Sequence, residues 1–273
     1  SNGATDPSTL ATFGADRILT IALNATPFGM AQQLATMAEG ATGMVIAGTS
    51  LGRSIAPALA ALAGGALSTN TTSVPSSVSP VVVERGAFSS KGIETIALSG
   101  GIPIVSFVPN SVGIHERAGE GTVESGEATG TDLMTITEKT IASGKVALPE
   151  AEVVVSAGRG LKGPEHWGMI EELASVLGAA TACSKPVSDI GWRPHSEHVG
   201  QTGIQVNPNL YIAIGISGAI QHLAGVSASK TIVVVNTDAE APFFKAADYG
   251  IVGDAFEVVP QLVNAMRAFK AGQ

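Results

Sequence analysis

Cysteine is nearly absent from this chain: Cys183 is the single one among 273 residues. An intramolecular disulfide and a cysteine-based zinc site are therefore excluded, and a reducing, cytoplasmic compartment is the expectation. Charge is also scarce, at 14% of residues, and its balance is acidic, with a formal net charge of −8. The 15 basic residues form no run. Counterion release from a polyanion needs clustered Lys and Arg, so nucleic acid is not an expected partner. No apolar stretch reaches the ~18 residues that cross a bilayer, and Ser1 to Pro7 carry none of the features of a signal peptide. Aromatics supply only 4% of the chain, against 33 glycines and 45% hydrophobic residues. That combination implies a sizeable core packed from Ala, Val and Ile with many tight turns, in one large domain or two ordinary ones, and it argues against disorder.

What is present is an alternation of apolar runs with helical patterns, in two halves. Arg17 to Asn24 reads as a buried strand, Gly29 to Glu39 as a helix, Met44 to Gly48 as a second strand, and Thr49-Ser50 opens a helix through Ala63. This order predicts parallel βαβ units. Ser68 to Ser79 is rich in Ser and Thr and reads as an irregular connection. Val81–Glu84, Thr95–Leu98 and Ile104–Val108 read as strands with no helix between them, which predicts an antiparallel excursion. Glu116 to Thr131 is acidic and Gly-rich, the composition of a solvated loop or linker. Alternation resumes at Val153–Val155, continues with a helix from Glu165 to Leu177 ended by Gly178, and then with strands at Leu210–Ile216 and Thr231–Val235. A last helix spans Val258 to Phe269, with Pro260 in its first turn. The domain boundary is expected at Leu148-Pro149, giving domains 1–148 and 149–273.

Four segments of the second half set polar or glycine residues in places that suit a ligand, which in open α/β sheets binds at the carboxyl ends of strands. In Ser156-Ala157-Gly158-Arg159-Gly160-Leu161-Lys162, two glycines flank a lone arginine and leave room for a phosphate or a ring; a plain surface turn has the same composition. Val199-Gly200-Gln201-Thr202-Gly203 lies in a long loop, where Gly-x-x-Gly can turn backbone N–H groups toward a ligand beside the Thr202 hydroxyl and the Gln201 amide. In Ile214 to Gly225 a buried strand ends at Ser217-Gly218 and a helix starts at once, so its free N–H groups and positive dipole end suit a pyrophosphate. His222 falls in the first turn of that helix, where a structural role and a ligand contact are both open. Val235-Asn236-Thr237-Asp238 ends a strand in short polar side chains.

Ser-His-Asp hydrolysis is not expected, and His115, His166, His195 and His198 show no metal-ligand spacing and read as solvated. Neither a catalytic nor a metal site is expected. An ordinary Rossmann dinucleotide site is not expected either. The residues alone reach a C-terminal α/β domain that binds a phosphorylated cofactor, with FAD, NAD, CoA and thiamine diphosphate all open.

Ser156–Lys162, Val199–Gly203, Leu210–Gly225, Lys230–Asn236 and Glu240–Gly253 together resemble the FAD domain of the electron-transfer flavoprotein α-subunit, from about Val153 to Phe269. The long string Leu210 to Gly225 is the most specific part, and the first half matches more loosely through Met44–Pro57 and Val81–Val108. The resemblance implies two α/β domains, each a mainly parallel sheet flanked by helices, the second of the deoxyhypusine-synthase-like NAD/FAD type. It implies FAD held by Arg159 beside the isoalloxazine ring, by Ser184 and Lys185 against it, and by Val199, Gly200, Gln201 and Thr202, with the Thr202 hydroxyl near N5. It further implies contacts from Ser217, Gly218, Ala219, Ile220, Gln221 and His222, the histidine at the N1/O2 edge, and from Asn236, Asp254 and Ala255 around the adenosine. Reduction places negative charge around N1 and O2, and a donor or cation there stabilises it; the protein tunes and the cofactor reacts.

The implied function is an electron carrier, not an enzyme. It takes electrons from flavoprotein dehydrogenases of the acyl-CoA type, pairs with a β-subunit, and delivers to a membrane quinone reductase. A low-potential or bifurcating carrier of the same family, and an NAD- or thiamine-diphosphate-dependent enzyme on a related fold, are the alternatives. Two positions depart from the family pattern: Lys185 stands where arginine is usual, a point charge in place of a planar fork, and Ala255 replaces a larger residue. The resemblance also implies a further strand and helix ahead of Asp16-Arg17-Ile18.

Overall fold

The computed structural model describes residues 6–21, 26–88, 92–126, 135–138 and 146–272. They fall into two compact units, Ser1–Gly86 with Ile93–Ser143, and Ala87–Gly92 with Gly144–Gln273.

In the first unit, strand β1 (Arg17–Ile21) is followed by helix α1 (Pro27–Met37), β2 (Met44–Ala47), helix α2 (Ser50–Ala63), β3 (Ala66–Thr71), β4 (Ser77–Val78), β5 (Val81–Ala87), β6 (Gly92–Leu98), β7 (Pro103–Phe107) and β8 (Thr122–Gly126). Thr26 and Thr49 start the two helices by accepting from Gly29 N and Gly52 N. The main sheet has the order β2-β7-β3-β5-β4, with β6 on β5.

Three expectations are corrected here. The Ser/Thr-rich stretch after Ala66 opens as strand β3, because the hydroxyls of Ser68 and Thr71 satisfy one another at 3.0 Å and both residues can be buried. Strand β7 pairs parallel with β2 and β3, so the antiparallel departure begins only where β5 meets β3 and β4. The acidic segment contains β8, which pairs parallel with β1 in a separate two-stranded sheet tied by a bidentate Arg17–Glu124 contact. The ends of two expected segments, 22–24 and 127–131, lie outside the described residues.

The second unit is a five-stranded, wholly parallel sheet. Its elements are β9 (Val153–Ala157), α3 (Gly168–Leu177), β10 (Ala180–Cys183), α4 (Lys185–Asp189), β11 (Leu210–Ile214), α5 (Ile220–Val226), β12 (Thr231–Asn236), β13 (Tyr249–Val252) and α6 (Ala255–Ala271). The order is β10-β9-β11-β12-β13. Both faces are covered, as a parallel sheet requires. Val155, Ala157, Ile212, Ile214 and Val235 pack on Ile170, Leu173, Val259 and Val263 on one side. Val154, Tyr211, Ala213 and Val234 pack on Val199, Val226 and Phe243 on the other.

Several elements differ from the reading of the sequence. β10, β13 and α4 are too short to announce themselves. β11 stops at Ile214 instead of Ile216. The third helix starts as a 3-10 turn, Pro164–His166, before α3. The last helix begins at Ala255, where the Asp254 carboxylate accepts from Phe256 N at 2.9 Å, so Pro260 lies within the helix.

Candidate functional site

In this strand order the chain leaves β9 toward β10 on one side and returns to β11 on the other, which makes the β9/β11 crevice the topological switch point. A cavity of about 460 Å³ opens there. Eleven of the sixteen residues expected at the cofactor line it: Arg159, Ser184, Lys185, Val199, Gly200, Gln201, Thr202, Ser217, Ala219, Gln221 and His222. The chain distances among them are long; the carboxyl ends of β9, β10 and β11 gather them.

Two backbone junctions hold the walls together. Gly158 N and Gly160 N donate to Ile214 and Gly215 carbonyls at 2.9 and 3.1 Å. A Cβ on Gly160 would stand 2.6 Å from Gly215 Cα, so only glycine lets the turn after β9 touch the turn after β11. On the other side, Gln201 N donates to Gln221 O at 2.7 Å and Val206 N to Gly225 O at 2.9 Å, locking the 199–203 loop to α5.

That loop is not the open N–H cradle that Gly-x-x-Gly suggests. Gly200 N goes to Ile204 O and Gly203 N to Gly200 O, at 3.2 and 3.1 Å, and Gln201 N is taken as above. A backbone donor already bonded within the chain is lost to a ligand, so the loop offers its side chains, Thr202 and Gln201, both exposed at the cavity. The junction after β11 likewise differs: five residues, 215–219, intervene before a seven-residue α5.

The segment Gly158-Arg159-Gly160-Leu161-Lys162-Gly163 has Gly-x-Gly-x-x-Gly spacing directly after strand β9, which corrects the expectation that no such pattern follows a strand in this chain. The backbone decides against a Rossmann turn. The segment coils into a 3-10 turn at Arg159–Leu161, and α3 starts only at Gly168.

His222 sits at the bottom of the cavity and is buried. Its Nε2 lies 2.9 Å from the Tyr211 hydroxyl, and Nδ1 makes no hydrogen bond among the described residues. Burial holds its pKa down at about 4; nearby His198 pushes the same way and the Val199 carbonyl pulls slightly back. The imidazole is therefore neutral at neutral pH, which removes the protonated form from consideration as the resting state. When the Tyr211 hydroxyl donates to Nε2, the hydrogen stays on Nδ1 and leaves a buried donor for a cofactor atom. Tyr211→Phe removes that partner while keeping the ring stacked on Phe243. It should lower the unfolding free energy by about 1–3 kcal/mol, measured by urea denaturation at pH 7.

Five expected residues do not line the cavity. Gly218 (φ +84°) is pressed under Phe243, and Ile220 faces solvent. Asn236 bridges strand ends, donating to Ile216 O and accepting from Asp238 N, each at 3.0 Å. Asp254 caps α6 and pairs with Lys162 at 3.6 Å, and Ala255 is core.

His198, Pro186, Asp189, Gly215 and Ile216 line the cavity without having been singled out for it. His198 is a correction. It is buried, not solvated, because Val199 N donates to Cys183 O and draws the residue in beside the end of β10. Its place just ahead of Val199-Gly200-Gln201-Thr202-Gly203 was the only signal. The remaining described histidines agree better with their reading: His195 is exposed but bonded to Ser188 at 2.7 Å, and His166 packs its edge on Phe256. Among the described residues no three His, Cys, Asp or Glu side chains are grouped to hold a metal.

The fold and the site thus define a cofactor domain of the doubly wound class, and residues 147–227 match the electron transfer flavoprotein FAD-binding domain. Residues 2–131 match the electron transfer flavoprotein domain. The chain is 37% identical over 265 residues to the electron transfer flavoprotein subunit alpha of Bacillus subtilis, covering 93% of this chain and 82% of that one. Its identity to the subunit alpha of Syntrophomonas wolfei is 39% over 267 residues, covering 94% and 84%. With that of Mycobacterium tuberculosis it shares 42% over 244 residues, covering 87% and 76%. The chain belongs to the electron transfer flavoprotein alpha-subunit family, and its cofactor is FAD.

The cavity suits that cofactor. Arg159 and Lys185 set positive charge at its rim, and His222 Nδ1, without a hydrogen-bond partner among the described residues, and the side chains of Thr202, Gln201 and Ser217 make its lining polar. Among the described residues no helix is long and apolar enough to cross a membrane.

Proposed function

We propose that this subunit is a cytoplasmic electron carrier that takes electrons from flavoprotein dehydrogenases of the acyl-CoA type and passes them to a membrane quinone reductase, as a heterodimer with a β-subunit. It transforms no substrate of its own. The observation that carries the reading is the convergence of the 199–203 loop and the 215–222 turn on one cavity at the switch point of the sheet.

Bound FAD supplies one- and two-electron redox chemistry; the chain's residues position and tune it. Arg159 and Lys185 bring cationic charge to the side where reduction deposits negative charge. With FAD bound, Thr202 would offer its hydroxyl to the flavin, and His222, neutral and held by Tyr211, would offer Nδ1–H to it. Buried Val199 and Ile216 give the cavity an apolar wall that would help exclude water from the bound flavin. Asn236, Asp254, Gly218, Ile220 and Ala255 stay outside the lining of this cavity, and they would meet the adenosine end of an FAD that extends beyond it.

The test is co-expression with the β-subunit, release and chromatographic identification of the flavin, and anaerobic reduction by an acyl-CoA dehydrogenase with its substrate. FAD at about one per heterodimer and rapid bleaching of its visible band are the expected results. A colourless complex, or one that an acyl-CoA dehydrogenase cannot reduce but NADH can, overturns the proposed donor.

A further inference from the structure

His198 is the second histidine that lines the cavity. His198 enters from the strand-like segment beside Cys183, and its ring lies under the Gly200–Gly203 turn. A Cβ on Gly203 would stand 2.8 Å from His198 Nδ1, and one on Gly200 would stand 3.4 Å from Nε2, so the two glycines close directly over the imidazole. The turn they form carries Gln201 and Thr202, and His198 lines the same cavity. No side chain hydrogen-bonds to its ring among the described residues. It is a polar group, buried to 7% exposure, set beneath the loop expected to meet the redox-active end of the cofactor.

We propose that His198 is the proton acceptor of this cavity, taking one proton from solvent when the bound flavin receives one electron. The inference rests on the carrier reading and deepens it. The balance is simple: a one-electron reductant places one negative charge on the cofactor, and one solvent proton adds to a ring nitrogen lone pair of His198. No covalent bond of the chain breaks, and reoxidation returns the proton.

The surroundings set the two states apart. Burial lowers the pKa of His198; Asp189 opposes that effect, and Lys185 and His195 add to it. Lys185 and Asp189 face it from α4, His195 from the turn before it, and His222 from α5; Arg159 lines the cavity beyond. The glycine turn over the ring brings no charge. An anion appearing in the cavity acts in the opposite direction, favouring the imidazolium. Of the two histidines, His198 is the better acceptor, because His222 is the more desolvated and is tied to Tyr211.

The test uses the FAD-loaded heterodimer. Ring nitrogen NMR follows His198 through a pH titration, oxidised and then fully reduced with dithionite. A midpoint higher by at least about one pH unit in the reduced protein, tenfold in proton affinity, is expected. In parallel, the first one-electron potential is measured from pH 6 to 8. Between the oxidised and reduced His198 midpoints it should fall with pH, by up to ~59 mV per unit for one proton per electron, and the slope should vanish in His198→Gln but persist in His222→Gln. An unchanged His198 midpoint, or a wild-type slope in His198→Gln, overturns the inference. If His198→Gln fails to hold FAD, the NMR titration of the unaltered protein still decides. A protein that carries no FAD at all overturns the carrier reading and this inference together, whereas a flavin-loaded protein with an unresponsive His198 overturns this inference alone.

Discussion

Between pH 7 and pH 4.5, at fixed FAD concentration, this protein should lose about 2–3 kcal/mol more of its unfolding free energy than the His222→Gln variant does. The folded His222 titrates at about 4, against an ordinary value of 6.5. As pH falls below 6.5 the unfolded chain takes up a proton there, while the folded one does so only near 4. Stability tied to this group is therefore complete above pH 6.5 and is lost as pH falls toward 4, at about 1.36 kcal/mol per unit of pKa difference. Glutamine keeps a partner for the Tyr211 hydroxyl and does not titrate, so the difference between the two proteins isolates the histidine. Urea unfolding at half-unit pH steps measures it. Identical pH profiles would mean that His222 is solvated in the native protein and that the cavity floor is misassigned.

Gly225→Ala should cost at least about tenfold in FAD affinity and about 1–3 kcal/mol in stability, the range for overfilling a packed site. A Cβ at Gly225 would stand 2.6 Å from both the Cα and the N of Gly200. Those are backbone atoms, which cannot rotate away as a side-chain tip can. Either α5 or the 199–203 loop must move, and the bonds Gln201 N–Gln221 O and Val206 N–Gly225 O lengthen with it. Thr202 and His222 ride on these two pieces, so their common cavity opens. The measurement is FAD binding to flavin-stripped protein by fluorescence quenching, with urea unfolding alongside. Wild-type affinity in the variant would show that the loop and the helix need not touch to hold the cofactor.

Much of this was legible in the residues. The buried strands β9, β11 and β12 are near-continuous apolar runs, the mark of a parallel sheet covered on both faces. The glycines and short polar residues that follow them stood out for the same reason. What escaped notice had weak or misleading local signals. Strand β3 looks like a loop because its Ser and Thr are polar, and only the Ser68–Thr71 pairing makes their burial affordable. Strand β8 looks like a linker because its neighbours are Gly and Glu, and only β1 makes it a strand. His198 looked like one more polar loop residue until the Cys183 contact drew it inward.

Composition and periodicity by themselves determined the two α/β halves and the position of the polar turns along the chain, because these depend on contacts between near neighbours; the flavin and the residues that would meet it followed from the family resemblance. Tertiary packing alone decided the strand order that creates the crevice between β9 and β11, the capture of N–H groups of the 199–203 loop by carbonyls of β10, α5 and the loop's own turn, and the neutral state of His222. Hydrogen-bond accounting and desolvation depend on what arrives from distant parts of the chain, and no local window of sequence contains that information.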